Sequence, residues 1–152
     1  MFRGITYLNI DIKGRLAVPS KYRDTVISES GSQVIVTVDH TNKCLLVYPM
    51  SGWLIVEKQL VALSNMDRRA RNAQRLLLGL AAECDLDNQG RILIPAPLRE
   101  FASLSKKTVL VGQLNKFELW DAEQWLVQRD AWISEAQEDD FDSDEALAQV
   151  SI

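Results

Sequence analysis

One segment of this chain occurs twice with the same internal spacing. The first copy reads Asp-Ile-Lys-Gly-Arg-Leu-Ala-Val-Pro at residues 11–19, and the second reads Asp-Asn-Gln-Gly-Arg-Ile-Leu-Ile-Pro at residues 87–95. An arginine follows each proline at the same distance, at Arg23 and Arg99. A repeat at fixed spacing constrains the architecture strongly because it implies that one structural unit is built twice. Two copies in 152 residues indicate an internally duplicated domain rather than a solenoid.

The first half of each copy is typical of a tight turn. Glycine adopts positive φ more readily than other residues, so Gly14 and Gly90 are predicted to lie at the turns. Asp11 and Asp87 precede the glycines by three positions. Their carboxylates can accept hydrogen bonds from backbone N–H groups two or three residues further on, which closes such a turn. We therefore expect these four residues to form the two turns.

The second half of each copy is typical of a short strand. Successive side chains of a strand point to opposite faces, so Leu16 and Val18 are predicted to be buried together. Arg15 is then presented outward beside the turn, and Arg91 follows the same logic in the second copy. Each strand ends at the proline that follows it, because proline cannot donate a backbone hydrogen bond.

The repeated pattern resembles the looped hairpin of the SpoVT-AbrB (AbrB-type) DNA-binding family. The tandem copies occur together with Met-Phe-Arg-Gly at residues 1–4, Leu-Leu-Leu-Gly at residues 76–79 and Asn-Lys-Phe-Glu-Leu-Trp at residues 115–120. With these flanks, the chain resembles the MraZ family of bacterial transcriptional regulators, which carry tandem SpoVT-AbrB domains. The resemblance extends from Met1 to about Trp125.

The resemblance implies an α+β fold. Its specific form is a duplicated AbrB-type swapped-hairpin β-barrel with pseudo-twofold symmetry and peripheral helices. The corresponding domain division is a first SpoVT-AbrB repeat at 5–52, connecting helices at 53–80, and a second repeat at 81–125. Residues 126–152 are expected to contain the end of a C-terminal helix and an acidic, disordered tail.

The resemblance also implies a function and a set of DNA-binding residues. The expected function is sequence-specific binding to short direct repeats in double-stranded promoter DNA, with repression of the protein's own promoter and of adjacent division and cell-wall genes. The expected assembly is a ring-like homo-oligomer. The candidate DNA-binding residues are Arg15, Lys13, Arg91 and Arg3. The first loop offers Lys13 and Arg15 but the second only Arg91, so the first loop is predicted to be the stronger DNA contact.

Positive charge is concentrated outside the C-terminal segment. Residues 1–129 hold all 17 Lys and Arg against 13 Asp and Glu, a net charge of +4, whereas residues 130–152 hold eight acids and no base. The formal net charge of −4 therefore hides a mildly basic region, which is typical of nucleic-acid binding. Because this charge is small, we expect several linked subunits to be needed for tight binding.

The middle of the chain is predicted to be helical. Apolar residues between Trp53 and Leu63 have helical spacing, and Asp67 is placed to cap a second helix. That helix carries four arginines, Arg68, Arg69, Arg71 and Arg75. These arginines could contact DNA phosphates, or they could form a solvated face or a subunit interface. The aromatic residues Tyr48, Trp53, Trp120 and Trp125 are expected to belong to the core.

No enzymatic motif is present in the sequence. There is no Gly-rich phosphate loop, no Gly-x-Ser-x-Gly and no metal-ligand spacing, so we expect no enzyme, metal, cofactor or small-molecule substrate. The single histidine, His40, is predicted to be a solvated turn residue. Cys44 and Cys84 are predicted to be small buried hydrophobes in a reducing cytosol. Without an apolar run of bilayer length or a signal peptide, we expect a cytoplasmic protein. The resemblance to DNA-binding regulators implies that it associates with the nucleoid.

An interpretation from another functional class stays open. Some AbrB-fold proteins end in acidic segments that wrap a partner toxin, and residues 135–145 are acidic with Phe141 among them. The chain would then be an antitoxin-like protein that binds a partner protein through its tail. A neighbouring toxin gene would favour this interpretation, whereas a cluster of division and cell-wall genes would favour the regulator.

Overall fold

The computed structural model describes residues 1–138 and 145–151. The strands in this part of the chain are β1 (Phe2–Asn9), β2 (Arg15–Ala17), β3 (Gln33–Val38), β4 (Leu45–Pro49), β5 (Ala82–Asp85), β6 (Arg91–Leu93), β7 (Lys107–Leu114) and β8 (Phe117–Asp121). The helices are α1 (Ser20–Ser30), α2 (Met50–Val61), α3 (Arg68–Gly79), α4 (Ala96–Phe101), α5 (Ala122–Glu138) and α6 (Glu145–Ala148). The mixture of helices with antiparallel strands confirms the predicted α+β class. Two compact units are present, Met1–Ala122 and Glu123–Ile152.

The strands of the first unit interleave the two repeats. Six strands form an antiparallel sheet in the order β1-β7-β8-β4-β3-β5, and β2 pairs with β6 in a separate two-stranded ribbon. β1 of the first repeat pairs with β7 of the second, and β5 of the second repeat pairs with β3 of the first. Each repeat therefore contributes an edge strand to the other, and the two repeats share one sheet.

The register of this pairing is symmetric under exchange of the repeats. Leu8 lies opposite Thr108 on β7, and its equivalent Cys84 lies opposite Val34 on β3. Thr108 and Val34 are themselves equivalent, because each pairs with the residue directly before a helix, which is Asp121 before α5 and Pro49 before α2. On the ribbon, Leu16 lies opposite Ile92, which is its own equivalent in the second copy. The sequence duplication is thus matched by a duplication of strand pairing, with the ribbon at its centre.

The expected β-barrel is not observed as a closed barrel in residues 1–138 and 145–151. β1 and β5 remain the two edges of the large sheet, and the ribbon strands pair only with each other. The ribbon strands have three residues each and are followed within two residues by Pro19 and Pro95. Because proline has no N–H to extend a ladder, these strands are too short to join the two edges.

Side chains of the sheet pack on both of its faces. On β3, Val34, Val36 and Val38 point to one face, where they share a core with residues of the ribbon, α1 and α4. Ile35 points to the opposite face. There it packs in a second cluster with residues of β4, α2 and α3, which are Leu46, Tyr48, Trp53, Leu60 and Leu77. The ribbon and the helix pair α2–α3 therefore lie on opposite faces of the sheet.

Several buried residues match the sequence-based expectations. Tyr48, Trp53 and Trp120 are buried. Cys44 and Cys84 are buried free thiols, as predicted. Burial raises the pKa of both thiols, with Asp85 adding to the effect at Cys84, whose pKa rises to about 11. Both cysteines are therefore neutral at physiological pH.

The second unit contains most of α5 and the short helix α6. The C-terminal helix, whose end was expected within residues 126–152, is α5, and it continues to Glu138. Within α5, the rings of Trp125 and Trp132 meet edge to face at 6.0 Å. Residues 139–144 of the acidic segment, for which a disordered tail was predicted, lie outside the described residues. In the residues that are described, no helix combines the length and hydropathy needed to cross a membrane.

Candidate nucleic-acid interface

The first Asp-x-x-Gly-Arg loop is closed by the side chain of Asp11. The Oδ1 atom of Asp11 accepts hydrogen bonds from the backbone N–H groups of Lys13 at 2.9 Å and Arg15 at 2.8 Å. Gly14 has a φ of 91°, a value that favours glycine. The Oδ2 atom of Asp11 accepts a hydrogen bond from Nε of Arg15 at 2.6 Å. One carboxylate therefore fixes both the backbone of the loop and the arginine that follows it.

The second loop has the same geometry. The Oδ1 atom of Asp87 accepts hydrogen bonds from the backbone N–H groups of Gln89 at 2.8 Å and Arg91 at 2.9 Å. Its Oδ2 atom accepts a hydrogen bond from Nε of Arg91 at 2.9 Å, and Gly90 has a φ of 74°. The recurrence of Asp, Gly and Arg in the sequence thus has one structural explanation in both loops.

These contacts lower the pKa of both aspartate carboxyls. The main cause at Asp11 is the backbone N–H of Arg15, and at Asp87 it is the backbone N–H of Arg91, with the arginine side chains adding to each. A lowered carboxyl pKa stabilises the folded state above the ordinary Asp value of about 3.9. That stabilisation is lost as the pH falls through the folded-state pKa. At neutral pH both carboxylates are therefore ionised and the loops are closed.

The ribbon presents the two arginines on one outer face. Arg15 lies opposite Leu93, and Ala17 lies opposite Arg91. Opposite residues of an antiparallel pair share a face, so these four side chains lie on the same side, away from the buried Leu16. Arg15 and Arg91 are diagonal neighbours, for which the usual Cα separation is about 7–8 Å. The ribbon thus brings together two arginines that are far apart in the sequence.

The other predicted DNA-binding residues occupy different positions. Lys13 is exposed in the first loop next to Ile12, whose apolar side chain is 99% exposed. Arg3 lies on β1, opposite Gln113 of β7, and so belongs to the large sheet and not to the ribbon. Arg15 is half-buried. Within the described residues, Nε is the only side-chain atom of Arg15 that donates a hydrogen bond. Its two terminal nitrogens therefore have donors available for a ligand.

Sequence reasoning assigned no role to the later arginine of each copy. Nε of Arg99 donates to the carbonyl oxygen of Ile94 at 3.0 Å, and its guanidinium lies against Gly14. Nε of Arg23 donates to the carbonyl oxygen of Val18 at 2.7 Å, and its guanidinium lies against Gly90. Each arginine thus contacts the loop glycine of the other repeat. The equal spacing of Arg23 and Arg99 after the prolines was the available sequence signal.

A depression of about 520 Å³ lies beside the first loop. It is lined by Asp11 and Ile12 of the loop together with Arg99 and Lys106. The first loop is therefore flanked by two further cations that sequence reasoning did not connect with it.

The four arginines of α3 belong to another surface. Arg68, Arg69, Arg71 and Arg75 are all exposed. Asp67 caps this helix, as predicted, by accepting a hydrogen bond from the backbone N–H of Arg69 at 2.9 Å. Because α3 packs on the sheet face opposite the ribbon, its arginines do not extend the outer face that carries Arg15.

One cluster of possible metal ligands occurs among the described residues. Ligand atoms of Asp39, Cys44 and Glu118 lie within 4.8 Å of one another. Asp39 already accepts hydrogen bonds at 2.9 Å from the backbone N–H and the hydroxyl of Thr41, and at 3.6 Å from the Cys44 thiol. These contacts close the turn between β3 and β4. The cluster is therefore explained by the turn.

Comparison with known proteins identifies the family. The family model described as "MraZ protein, putative antitoxin-like" matches residues 1–76 and again residues 77–150. A protein named Transcriptional regulator MraZ from Thioalkalivibrio sulfidiphilus is 53% identical over 138 residues, which are 91% of this chain and 91% of that protein. A protein of the same name from Alkalilimnicola ehrlichii is 49% identical to this chain over 139 residues, which are 91% of this chain and 93% of that protein. Another from Shewanella baltica is 46% identical over 152 residues, the full length of both proteins. The chain belongs to the MraZ family of transcriptional regulators.

Proposed function

We propose that the chain is a sequence-specific DNA-binding repressor. It acts on its own promoter and on adjacent division and cell-wall genes, in the cytoplasm at the nucleoid. The observation that carries the proposal is the β2–β6 ribbon, which places Arg15 and Arg91 on one outer face. The name of the relatives supports a role in transcription.

The ribbon has the dimensions and chemistry of a major-groove reader. The major groove of B-DNA admits a two-stranded β-ribbon, and the guanidinium fork of arginine matches O6 and N7 of guanine. The bond between Nε of Arg15 and Asp11 restricts the side chain before DNA binds, so less conformational entropy is lost on binding. Arg15 is therefore the principal base reader.

The remaining candidates have supporting roles in this proposal. Lys13 adds a phosphate contact beside Arg15, and Arg3 adds a weaker one from β1. Arg91 reads from the second loop, where Asn88 and Gln89 replace the Ile-Lys pair of the first. The first loop is therefore the stronger contact.

The two repeats act as one DNA-binding unit in this proposal. Residues 5–52 and 81–125 are the two SpoVT-AbrB repeats, 53–80 are connecting helices, and 126–152 follow the repeats. Pairing of β1 with β7 and β5 with β3 supports a swapped-hairpin arrangement within one chain. Copies of the chain assemble into a ring that binds short direct repeats through linked weak contacts.

Arg15→Ala tests the proposal. The substitution removes the base-reading guanidinium but leaves the backbone hydrogen bond between Arg15 N–H and Asp11 in place. Loss of a bidentate arginine–guanine contact costs about 1–3 kcal/mol for each subunit. We expect the variant to lose protection of the DNA upstream of its own gene in a footprinting assay, while circular dichroism and the unfolding temperature stay close to those of the parent.

Arg91→Ala is the matched control, since it removes the same group from the equivalent position. We expect a smaller loss of protection than with Arg15→Ala. Normal protection of the operator by the Arg15→Ala protein would show that the ribbon does not read DNA.

A second candidate function is suggested by the description of the matching family as antitoxin-like. In that case, acidic residues 135–145 would bind a partner protein, although residues 139–144 lie outside the described part of the chain. This function would be favoured by a toxin gene beside this one. The product of that gene should copurify with the full chain but not with a chain that lacks residues 139–152. A cluster of division and cell-wall genes would favour the repressor.

A further inference from the structure

The loop glycine of each repeat is enclosed by the other repeat. The carbonyl oxygen of Gly14 accepts a hydrogen bond from the backbone N–H of Ile94 at 2.8 Å. The carbonyl oxygen of Ile94 in turn accepts a hydrogen bond from Nε of Arg99 at 3.0 Å. The guanidinium of Arg99 then returns to Gly14, where a Cβ in place of a glycine hydrogen would lie only 2.8 Å from Cζ. Gly14, Ile94 and Arg99 thus form a closed set of contacts.

The equivalent contacts surround the second loop. The carbonyl oxygen of Gly90 accepts a hydrogen bond from the backbone N–H of Val18 at 2.9 Å, and the carbonyl oxygen of Val18 accepts one from Nε of Arg23 at 2.7 Å. The guanidinium of Arg23 occupies the space in which a Cβ at Gly90 would lie. The same three contacts therefore occur twice, with the repeats exchanged.

We propose that Arg99 and Arg23 are positioning residues, each of which fixes the DNA-reading loop of the opposite repeat. Arg99 acts on Gly14 and hence on the adjacent reader Arg15, whereas Arg23 acts on Gly90 and hence on Arg91. This inference rests on the proposed function, because it takes Arg15 and Arg91 as the readers. Each reader then depends on an arginine from the other half of the chain.

The chemistry of the contact requires a guanidinium. In the arginine, Nε donates a hydrogen bond to a carbonyl oxygen, and the flat guanidinium packs against the Cα of a glycine. Both contacts are made by the same rigid, planar group. The ammonium of lysine is a point charge at the end of a flexible stem. Lysine has no N–H group where arginine has Nε, and it has no flat group to pack on the glycine. Lysine therefore keeps the charge at this position but cannot keep both contacts.

The glycines are constrained by the same contact. Gly14 and Gly90 have positive φ, and the space beside each Cα is filled by an arginine of the other repeat. A side chain at either position would therefore displace the arginine in addition to straining the turn. The Gly and the later Arg of the repeat thus form a pair across the two copies.

The first experiment uses the free protein and does not depend on DNA. In ¹⁵N-labelled full-length protein, Arg99→Ala should shift the backbone amide resonances of residues 13–15 more than those of residues 89–91. Arg23→Ala, which is the matched control, should produce the opposite pattern. Equal shifts in both loops, or larger shifts in the loop of the same repeat, would overturn the proposal.

The second experiment compares operator DNA with a scrambled duplex of equal length. Arg99→Ala should lower the ratio of the two affinities by about tenfold or more, as expected for loss of one arginine–base contact. The double variant with Arg15→Ala should lose little beyond Arg15→Ala alone, because both changes remove the same contact. In combination with Arg91→Ala, the two losses should instead add.

Arg99→Lys separates positioning from a direct phosphate contact. It should show the same loss of discrimination as Arg99→Ala and the same amide shifts in the first loop. Full recovery of discrimination with lysine would show that Arg99 acts as a charge on phosphate, and the proposal would fail. Since lysine keeps the charge and stem, this variant also serves if Arg99→Ala does not fold.

Failure of the proposed function has a different signature. If Arg15→Ala binds operator DNA normally, the ribbon is not the reader, yet the amide shifts still decide whether Arg99 and Arg23 fix the opposite loops. If Arg15→Ala loses binding but the shifts are not crossed, the proposed function stands and the positioning role is wrong.

Discussion

Asp11 accepts three hydrogen bonds through its two carboxylate oxygens, and all three come from residues of its own loop. Its effect on the proposed DNA binding should therefore have two parts of opposite sign. The negative charge opposes an approaching phosphate backbone, whereas the hydrogen bonds fix the loop and orient Arg15. Because preorganisation reduces the entropy lost on binding, we expect the second part to be the larger for specific DNA.

Asp11→Ala should accordingly weaken operator binding, although it removes a negative charge near the interface. Asp24→Ala is the control, because Asp24 is an exposed acid on α1 with the same charge. We expect the control to leave operator affinity unchanged or slightly improved. Affinities for both variants can be measured by fluorescence anisotropy at fixed salt. Tighter operator binding by the Asp11→Ala protein would mean that charge outweighs loop order at this position.

At the scale of single residues, the sequence alone predicted the two turns but not the side-chain contacts that hold them. Asp-x-x-Gly-Arg predicted a closed turn with an outward arginine because each residue type has a local conformational preference. The bond from Nε of Arg15 to Asp11 depends on the direction that Gly14 gives to the chain. The contact of Arg99 with Gly14 depends on the pairing of β2 with β6, which no local preference encodes.

At the scale of elements, local patterns located the strands and helices but not their partners. The short strands expected after the two turns are β2 (Arg15–Ala17) and β6 (Arg91–Leu93). Strands adjacent in sequence often pair, yet β1 pairs with β7 and β5 with β3. These pairings are selected by burial of both sheet faces across the whole first unit.

Thr37 connects α3 to the sheet and provides a test at this scale. Its hydroxyl, which is fully buried, donates to the carbonyl oxygen of Leu77 at 2.7 Å. In a continued helix that carbonyl would bond to the N–H of Ala81, but this N–H donates to Leu78 instead. Thr37 therefore satisfies a buried carbonyl at the end of α3.

Thr37→Val should lower the free energy of unfolding by about 1–3 kcal/mol, because it keeps the shape of the side chain and leaves the carbonyl without its donor. Urea denaturation measures the change. Ser28→Ala, which removes an exposed hydroxyl bonded to Thr25, should change stability by less than about 0.5 kcal/mol. Operator affinity of the folded Thr37→Val protein should be unchanged, since α3 and the ribbon lie on opposite sheet faces. If the Thr37→Val protein kept the stability of the parent but bound operator DNA more weakly, α3 and the ribbon would not act independently, contrary to this prediction.

At the scale of the whole molecule, a symmetric arrangement of strands carries an asymmetric set of charges. The two loops have the same hydrogen bonds, but only the first has a lysine beside its arginine. A symmetric pair of readers would favour a palindromic site. Under the proposed function, the unequal loops would instead give each subunit a direction on DNA, and neighbouring subunits of the proposed ring would meet the duplex in the same direction. Direct repeats are therefore the expected form of the operator.

Under the proposed function, one subunit offers few cations to DNA, which would limit its affinity. Each phosphate neutralised contributes a slope of about −0.9 to log affinity against log salt, so a lone subunit should bind weakly with a shallow slope. Adjacent subunits on one face of the duplex should contact sites separated by about one helical turn, roughly 10 base pairs. We predict that binding requires at least two direct repeats at this spacing and that the salt slope increases with their number.

Insertion of about five base pairs between two repeats tests the assembly, because it moves the second site to the opposite face of the duplex by half a helical turn. Linked binding depends on simultaneous contact, so affinity should fall towards that of a single repeat and the salt slope should become shallower. Insertion of about ten base pairs is the matched control, because it returns the second site to the same face of the duplex. Affinity should then recover in part if the ring can reach the next helical turn. Undiminished affinity after the half-turn insertion would exclude a ring that reads one face of the DNA with several subunits, since only independent subunits could tolerate that rotation.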